Sequence, residues 1–344
     1  MAYYTALDVS LRSVSVCIID ETGNIQFESK VESTVDKIIS SLKSFSEDIV
    51  SIGFEAGTLT QYLTYGLQAA GYEVICMEAR QVSAALSAMR NKTDKNDARG
   101  IAQLLRSGWY SRVHVKGLSS HLSRVLLGSR KTALQKCVDV ENEIRGVVRL
   151  LGIKLPPTLS HVAYETTLRS LLEQHPEFTA ALEPLLEARQ VLYQTYVTLD
   201  KQVRTQAQCD PVCQRFMSVP GIGPITALTF KAAVDDPTRF KRSRTVAAHF
   251  GLTPRRHQSG EMDYAGHISK AGDPEVRSVL YTAALSLLTR SGEWSSLKVW
   301  GRRLAKTRGQ RRAVIAVARK LAVILHRMWV DGTDFRYGAK EMNL

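Results

Sequence analysis

Four carboxylates in the first hundred residues are spaced so that they could hold metal ions and cut a phosphodiester. Asp8 ends a short apolar run, Ala6-Leu7-Asp8-Val9, and Glu55 ends another, Ile52-Gly53-Phe54-Glu55. Asp94 and Asp97 follow in Lys92-Thr93-Asp94-Lys95-Asn96-Asp97-Ala98, three apart and so on one face of a helix. Carboxylates at the ends of adjacent strands, faced by two more from a helix, repel one another. Hard divalent cations relieve that repulsion, and an all-oxygen set suits Mg²⁺ or Mn²⁺. Two such ions can clamp the attacking and leaving oxygens of a phosphodiester. Taken singly, each residue also fits a plainer role. Asp8 could cap a turn, Glu55 could sit on the surface, and Asp94 and Asp97 could complement a helix dipole.

Two features of the second half could handle DNA. Val219-Pro220-Gly221-Ile222-Gly223-Pro224-Ile225-Thr226-Ala227 reads as a Gly-x-Gly turn between short helices, a helix-hairpin-helix. Gly221 and Gly223 would leave backbone N–H groups bare for a phosphate. Downstream lies a polar, Gly-rich stretch between Phe250 and Gly272, expected to be an irregular loop. In it Ser259 precedes Gly260 beside Arg255, Arg256 and His257, and Lys270 follows in Ser269-Lys270-Ala271-Gly272. A serine among guanidiniums could attack phosphorus, with the arginines stabilising the charge that develops. Ser-Gly is also ordinary turn chemistry, and Ser269 is a rival, so spacing alone leaves the nucleophile open.

These residues need elements to hold them. Residues 3–31 alternate in three short runs separated by turn signals, a strand meander. Val35 to Phe45 has helical spacing, Ile49 to Phe54 reads as a buried strand, and Leu59 to Ala70 as a helix stopped by Gly71. Tyr72 to Met77 is a further strand and Asp97 to Leu105 a further helix, giving an α/β domain with some parallel pairing. A long amphipathic helix spans Leu118 to Leu151, and Leu168 to Val203 forms one or two more, broken at His175-Pro176. Together they suit either a helical, coiled-coil arm or an ordinary bundle. The remainder is mostly helical, clearest over Asp273–Leu288 and Gln310–Trp329. Three domains are expected, at 1–117, 118–205 and 206–344.

Charge divides along the same lines. The 344 residues carry 46 Lys+Arg against 33 Asp+Glu, a net +13. Residues 1–117 sum to −1, 118–200 to zero and 201–344 to +14. A basic block beside neutral ones points to a polyanion, most simply nucleic acid. An apolar fraction of 44% and mean hydropathy of −0.13 exclude a disordered or collagen-like chain. No apolar run reaches the length of a membrane span, and the N-terminus lacks a signal-peptide pattern, so a cytoplasmic protein is expected. Five cysteines, without a completed zinc pattern, fit the reducing cytosol, with Cys17 and Cys76 in cores.

In order along nearly the whole chain, these motifs resemble the DEDD-type insertion-sequence transposases, the family that includes the pilin-gene invertase and the bridge-RNA-guided serine recombinases. The residues that carry the resemblance are Ala-Leu-Asp8-Val, Gly-Phe-Glu55-Ala-Gly and Lys-Thr-Asp94-Lys-Asn-Asp97-Ala-Arg. Val-Pro-Gly-Ile-Gly-Pro, Phe-Gly-Leu-Thr-Pro-Arg-Arg-His-Gln-Ser259-Gly and Gly-His-Ile-Ser-Lys-Ala-Gly-Asp follow. Gln258 departs from the family by standing where a serine is often found. The resemblance implies a RuvC-like, ribonuclease-H-type domain with Asp8, Glu55, Asp94 and Asp97 as Mg²⁺ ligands. It also implies a C-terminal transposase domain whose Ser259 forms a covalent phosphoserine link with DNA. It further implies a tetramer, with the metal site of one subunit meeting the serine of another, and an element-encoded noncoding RNA that pairs with donor and target double-stranded DNA. Two other readings compete: a metal-dependent, junction-resolving nuclease without a covalent intermediate, and a nucleic-acid-binding protein without chemistry.

Overall fold

A computed structural model describes residues 1–89, 91–259 and 262–338. The chain divides into two compact units, Met1–Lys116 and Gly117–Leu344.

The first unit begins with the expected meander, β1 (Tyr3–Val9), β2 (Ser13–Ile19) and β3 (Ile25–Glu32). Helix α1 (Val35–Leu42) and a 3-10 turn lead to β4 (Ile49–Glu55), and α2 (Thr60–Ala69) leads to β5 (Val74–Met77). Helices α3 (Ala79–Leu86) and α4 (Asp94–Ser107) follow. The sheet order is β3-β2-β1-β4-β5, antiparallel through the meander and parallel from β1 to β4 to β5.

Both faces of the sheet are covered, which is why β2, Ser-Val-Ser-Val-Cys-Ile-Ile, is almost wholly buried. Leu7, Val16, Ile52 and Phe54 pack under α1 and α2, through Ile38, Leu42, Leu63 and Leu67. Ala6, Cys17, Ile75 and Met77 face the other way, against Val82 of α3 and Ala98, Ile101 and Leu105 of α4. Side chains alternate along a strand, so Asp8 shares the α4 face with Ala6, and Glu55 points opposite Phe54, onto that face too. Helix α4 starts at Asp94, three residues before the expected start, because the Thr93 side chain caps it by accepting from the Asn96 N–H at 3.2 Å.

The second unit is mostly helical. Helix α5 (Leu118–Val148) runs into a 3-10 turn, and α6 (His161–Leu172) precedes α7 (Pro176–Cys209). Helices α5 and α7 lie antiparallel. Their far ends share a small core with α6 around Ile144, Tyr164, Leu168 and Leu186. Their near ends, through Leu126, Leu127, Val203 and Ala207, join the main core. That core is built by α8 (Pro211–Met217), α9 (Pro224–Val234), α10 (Ser243–His249), α11 (Pro274–Thr289), α12 (Ser296–Arg308) and α13 (Gln310–Asp331).

The stretch expected to be an irregular loop is instead a β-hairpin, β6 (Pro254–Ser259) with β7 (Met262–Ile268). Its sequence carries no alternating apolar face, because the ribbon has no core to cover. Cross-strand pairs and a staple at its base hold it instead. Arg277 reaches from α11 to the carbonyls of Phe250 and Gly272.

The position of α4 on the sheet decides where its two aspartates stand. Ile101, 1% exposed, is the centre of that contact. Ile101→Ala should destabilise the first unit by about 2–4 kcal/mol, read by urea unfolding of the full chain. A loss below about 1 kcal/mol would mean that other contacts seat the helix.

Candidate active site

The four predicted carboxylates converge on one edge of the first unit. Strands β1 and β4 are parallel neighbours with Leu7 opposite Phe54, so Asp8 and Glu55 occupy the next rung, at the carboxyl ends of both strands. In an α/β sheet this is where ligands bind. Asp97 and Asp94 prolong the sheet-facing stripe of α4 (Ala98, Ile101, Leu105) beyond its apolar part. The backbone therefore presents four acids to one space, and the repulsion registers in the proton affinities of Asp8 and Glu55. Asp8 is pushed up to about 6, first by burial and then by the charges of Asp97, Asp94 and Glu55. Glu55 is raised by burial, with Asp97 and Glu78 adding to it and Lys92 opposing.

Asp94 behaves differently. It is exposed and pairs with Lys30 of β3 at 2.9 Å, which lowers its pKa. The position of α4 is further fixed by Glu28, also on β3. Its carboxylate takes Nε and Nη2 of Arg99 at 2.6 and 3.0 Å and Nζ of Lys95 at 2.9 Å, which holds its pKa down near 2. Sequence reasoning passed over Glu28, Lys30, Lys92 and Arg99. Residues some seventy positions apart leave no mark of their pairing in spacing. An open groove of about 600 Å³ runs along this side, lined by Ser15, Glu28, Lys30, Thr93 and Asp94.

The donor set, hard oxygens with Asp8 pushed toward its protonated form by burial and by its neighbours' charges, fits a divalent cation. The cation would take over the part that Lys92 now plays.

In the second unit Ser259 ends β6, opposite Met262, at the tip of the hairpin. Its side chain, like that of His257, lies outside the described residues, as does Gly260. Arg256 is bound bidentately to Asp263 across the ribbon, with Nε to Oδ1 at 2.8 Å. Arg255 donates to the Ser269 carbonyl at 3.3 Å. Lys270 adopts φ +55°, and its N–H donates to the Gly251 carbonyl at the hairpin base. The Gly-x-Gly turn joins α8 to α9 as the sequence suggested. Gly221 has φ +90°, and a Cβ there would lie 2.7 Å from the Ala283 carbonyl oxygen, so the backbone of α11 already requires glycine at this position. Gly223 is the N-cap of α9 and has open space around it.

Comparison with known sequences joins the two halves. A DEDD-type IS110 transposase model matches residues 5–153, and a model described as the transposase IS116/IS110/IS902 family matches residues 213–299, in that order. The chain belongs to this transposase family. The transposase for insertion sequence element IS1111A of Coxiella burnetii is 27% identical over 97% of this chain and 91% of its own length. A probable family 20 transposase of Pseudomonas aeruginosa is 26% identical over 72% of this chain and 75% of its own. A pilin gene-inverting protein of Moraxella bovis is 30% identical over 37% of this chain and 40% of its own. The first model spans all four carboxylates, and metal dependence is typical of this DEDD type.

The transposase has a second group of possible metal ligands, which the sequence did not suggest. Cys137 of α5, Glu141 of α5 and His161 of α6 bring one ligand atom each within 4.8 Å of one another. Here a cation is already in place. Arg189 of α7, 2% exposed, donates to Glu141 Oε1 at 2.9 Å and lies over the Tyr164 ring at 4.7 Å. Glu141 also meets His161 Nδ1 at 3.0 Å. A buried guanidinium bonded to the same oxygen repels a metal, so this group is an internal ion-pair network of the helical hairpin.

The carboxylate cluster makes a signed prediction. The Asp8 pKa in the folded chain, about 6, lies above the ordinary 3.8. The folded state therefore binds the extra proton between these values, and the Asp8 contribution to stability is lost as pH rises from about 4 to 6. Asp8→Asn in chelator at pH 7.5 should be more stable than wild type by about 1–2 kcal/mol, after discounting for partial solvent screening. The gain should vanish near pH 4. Adding divalent cation should raise the melting temperature of wild type and barely move that of the variant. Equal stability of the two proteins in chelator at pH 7.5 would contradict the cluster as described.

Proposed function

We propose that this transposase cuts and rejoins DNA through a covalent phosphoserine intermediate, with its four carboxylates holding Mg²⁺ or Mn²⁺. The observation that carries the metal half is the raised pKa of Asp8 among Asp97, Asp94 and Glu55, an arrangement costly to the apo fold and relieved by a divalent cation. The mixed sheet with its acids at the carboxyl ends of β1 and β4 supports a RuvC-like, ribonuclease-H-type reading of the first unit. A bound cation there would supply Lewis-acid stabilisation to the charge gathering on a phosphodiester. Asp8, Glu55 and Asp97 orient that ligand shell, and Glu28, through Arg99 and Lys95, keeps α4 in register.

In the first chemical step the Ser259 Oγ bonds to the scissile phosphorus while the P–O bond to the departing DNA end breaks. The hydroxyl proton passes to a base, and the released DNA oxygen takes up a proton. A DNA hydroxyl then attacks the phosphoserine, which restores the serine and seals the new strand. The support for Ser259 is its place at the hairpin tip and within the matched 213–299 segment. Arg255, Arg256, His257, Lys270 and the N–H groups around Gly221 and Gly223 are the proposed phosphate contacts. They are helped by the net +14 of residues 201–344.

The rest of the proposal follows the family resemblance. Double-stranded donor and target DNA are paired with an element-encoded bridge RNA. The chain assembles as a tetramer in which the carboxylates of one subunit serve the serine of another. It works at the nucleoid of a bacterial cytoplasm. No described helix is long and apolar enough to cross a membrane.

The test is a denaturing gel for protein-linked DNA, using wild type and Ser259→Ala with Mg²⁺, the element's RNA and labelled donor duplex. A slow-migrating adduct in wild type that is lost in Ser259→Ala is expected. Cleaved DNA without an adduct would replace this reading with that of a junction-resolving metal nuclease.

A further inference from the structure

From Ser295 to Val330 the chain holds ten lysines and arginines and no aspartate or glutamate. Several of the ten make contacts within the unit. Lys298 is buried and donates to the Glu293 carbonyl at 3.2 Å, Arg302 donates to the Leu288 carbonyl at 3.4 Å, Lys320 lies over the Trp300 ring, and Arg327 pairs with Asp331. Lys306, Arg308, Arg311 and Arg312 lie on the exposed sides of α12 and α13. Among the described residues no ion pair engages Lys306, Arg308, Arg311 or Arg312, which stand on either side of the Gly309 turn. Elsewhere in the same unit several cations are matched. Arg130 and Arg204 share Asp200, Arg169 takes Glu165 and Glu183, and Arg124 takes Asp273.

The packing forces these like charges together. A Cβ on Gly301 of α12 would lie 2.7 Å from Leu288 and from Val317, so α12 is drawn tightly onto α11 and α13. Lys320 of α13 lies 3.9 Å over the Trp300 ring of α12, locking the pair. Arg311 and Arg312 then occupy the first turn of α13, where the helix dipole disfavours cations and no acidic residue offsets them. Both features cost the free protein stability, and a polyanion lying across the turn removes both costs.

We propose that the α12–α13 turn is a docking surface for the phosphate backbone of double-stranded DNA, with Arg311 and Arg312 at its centre and Lys306 and Arg308 beside them. The surface lies beyond the matched 213–299 segment, apart from the Ser259 hairpin in sequence. The choice of DNA rests on the transposase reading above. The surface offers cations without an aromatic platform for unstacked bases, since Trp300 is covered by Lys320, and so it grips duplex without reading sequence.

The test measures binding of the full chain to a labelled duplex of arbitrary sequence over a range of salt concentrations, by fluorescence anisotropy. The variants are Arg311→Gln/Arg312→Gln and Arg311→Lys/Arg312→Lys, with circular dichroism to show that each is folded. Loss of two phosphate contacts should lower the slope of log K against log salt by about 2, and weaken binding about tenfold or more at 0.1 M salt. The lysine pair should keep most of the slope. An unchanged slope in the glutamine pair, while wild type binds, overturns the surface and leaves the transposase reading intact. A loss confined to structured RNA overturns it too. A lowered slope without any Ser259 adduct would keep the surface and remove the serine chemistry.

Discussion

The structure turns on one electrostatic constraint. The fold places carboxylates where they repel. Asp8 and Glu55 share a rung of adjacent parallel strands, and α4 delivers Asp97 and Asp94 to the same edge. Packing seals this arrangement. Ala98, Ile101 and Leu105 bury α4 against the sheet, and Glu28 clamps Arg99 and Lys95. A fold that only had to be stable could exchange Asp8 for a neutral residue. Keeping it holds the carboxyl pKa near 6, the cost that the proposed divalent cation would relieve.

The second unit handles cations in two opposite ways. In the helical hairpin they are spent internally. Arg189 is buried against Glu141, the His161 carbonyl and the Tyr164 ring, and Arg130 joins Asp200 and Tyr196. Such buried pairs fix register more than they add stability, because desolvating two charges offsets much of their attraction. Around the α12–α13 turn, Lys306, Arg308, Arg311 and Arg312 face solvent, and among the described residues no ion pair engages them. The net charge of the C-terminal block thus reflects placement as well as composition: neutralised where helices must lock, left over where a polyanion would lie.

What the sequence reveals follows from periodicity. Alternation in residues 3–31 and apolar runs ending in Asp8 and Glu55 were enough to anticipate the meander, some parallel pairing and acids at the ends of adjacent strands. Long helices such as α5 and α13 announce themselves by their stripes. The β6–β7 ribbon does not, because an exposed hairpin has no buried face to write into its sequence. Its order comes from Arg256 with Asp263 and from Arg277 below it. The short α3, with one buried residue, and the first turns of α6 leave too little pattern to detect. Pairings such as Glu28 with Arg99, or Glu141 with Arg189, join distant segments through charge alone and become visible only once the chain is folded. Gly221 looks like a phosphate-binding glycine in the sequence, and the structure shows that it is also needed for packing against α11.

The most direct test of the central claim is anomalous diffraction from crystals of the full chain grown with Mn²⁺. The account predicts a peak bound by oxygens of Asp8, Glu55 and Asp97, with Asp94 released from Lys30 to reach it or to hold its waters. A peak at Cys137, Glu141 and His161 with none among the four carboxylates would contradict it, and the acids would then be surface charges that the fold merely tolerates.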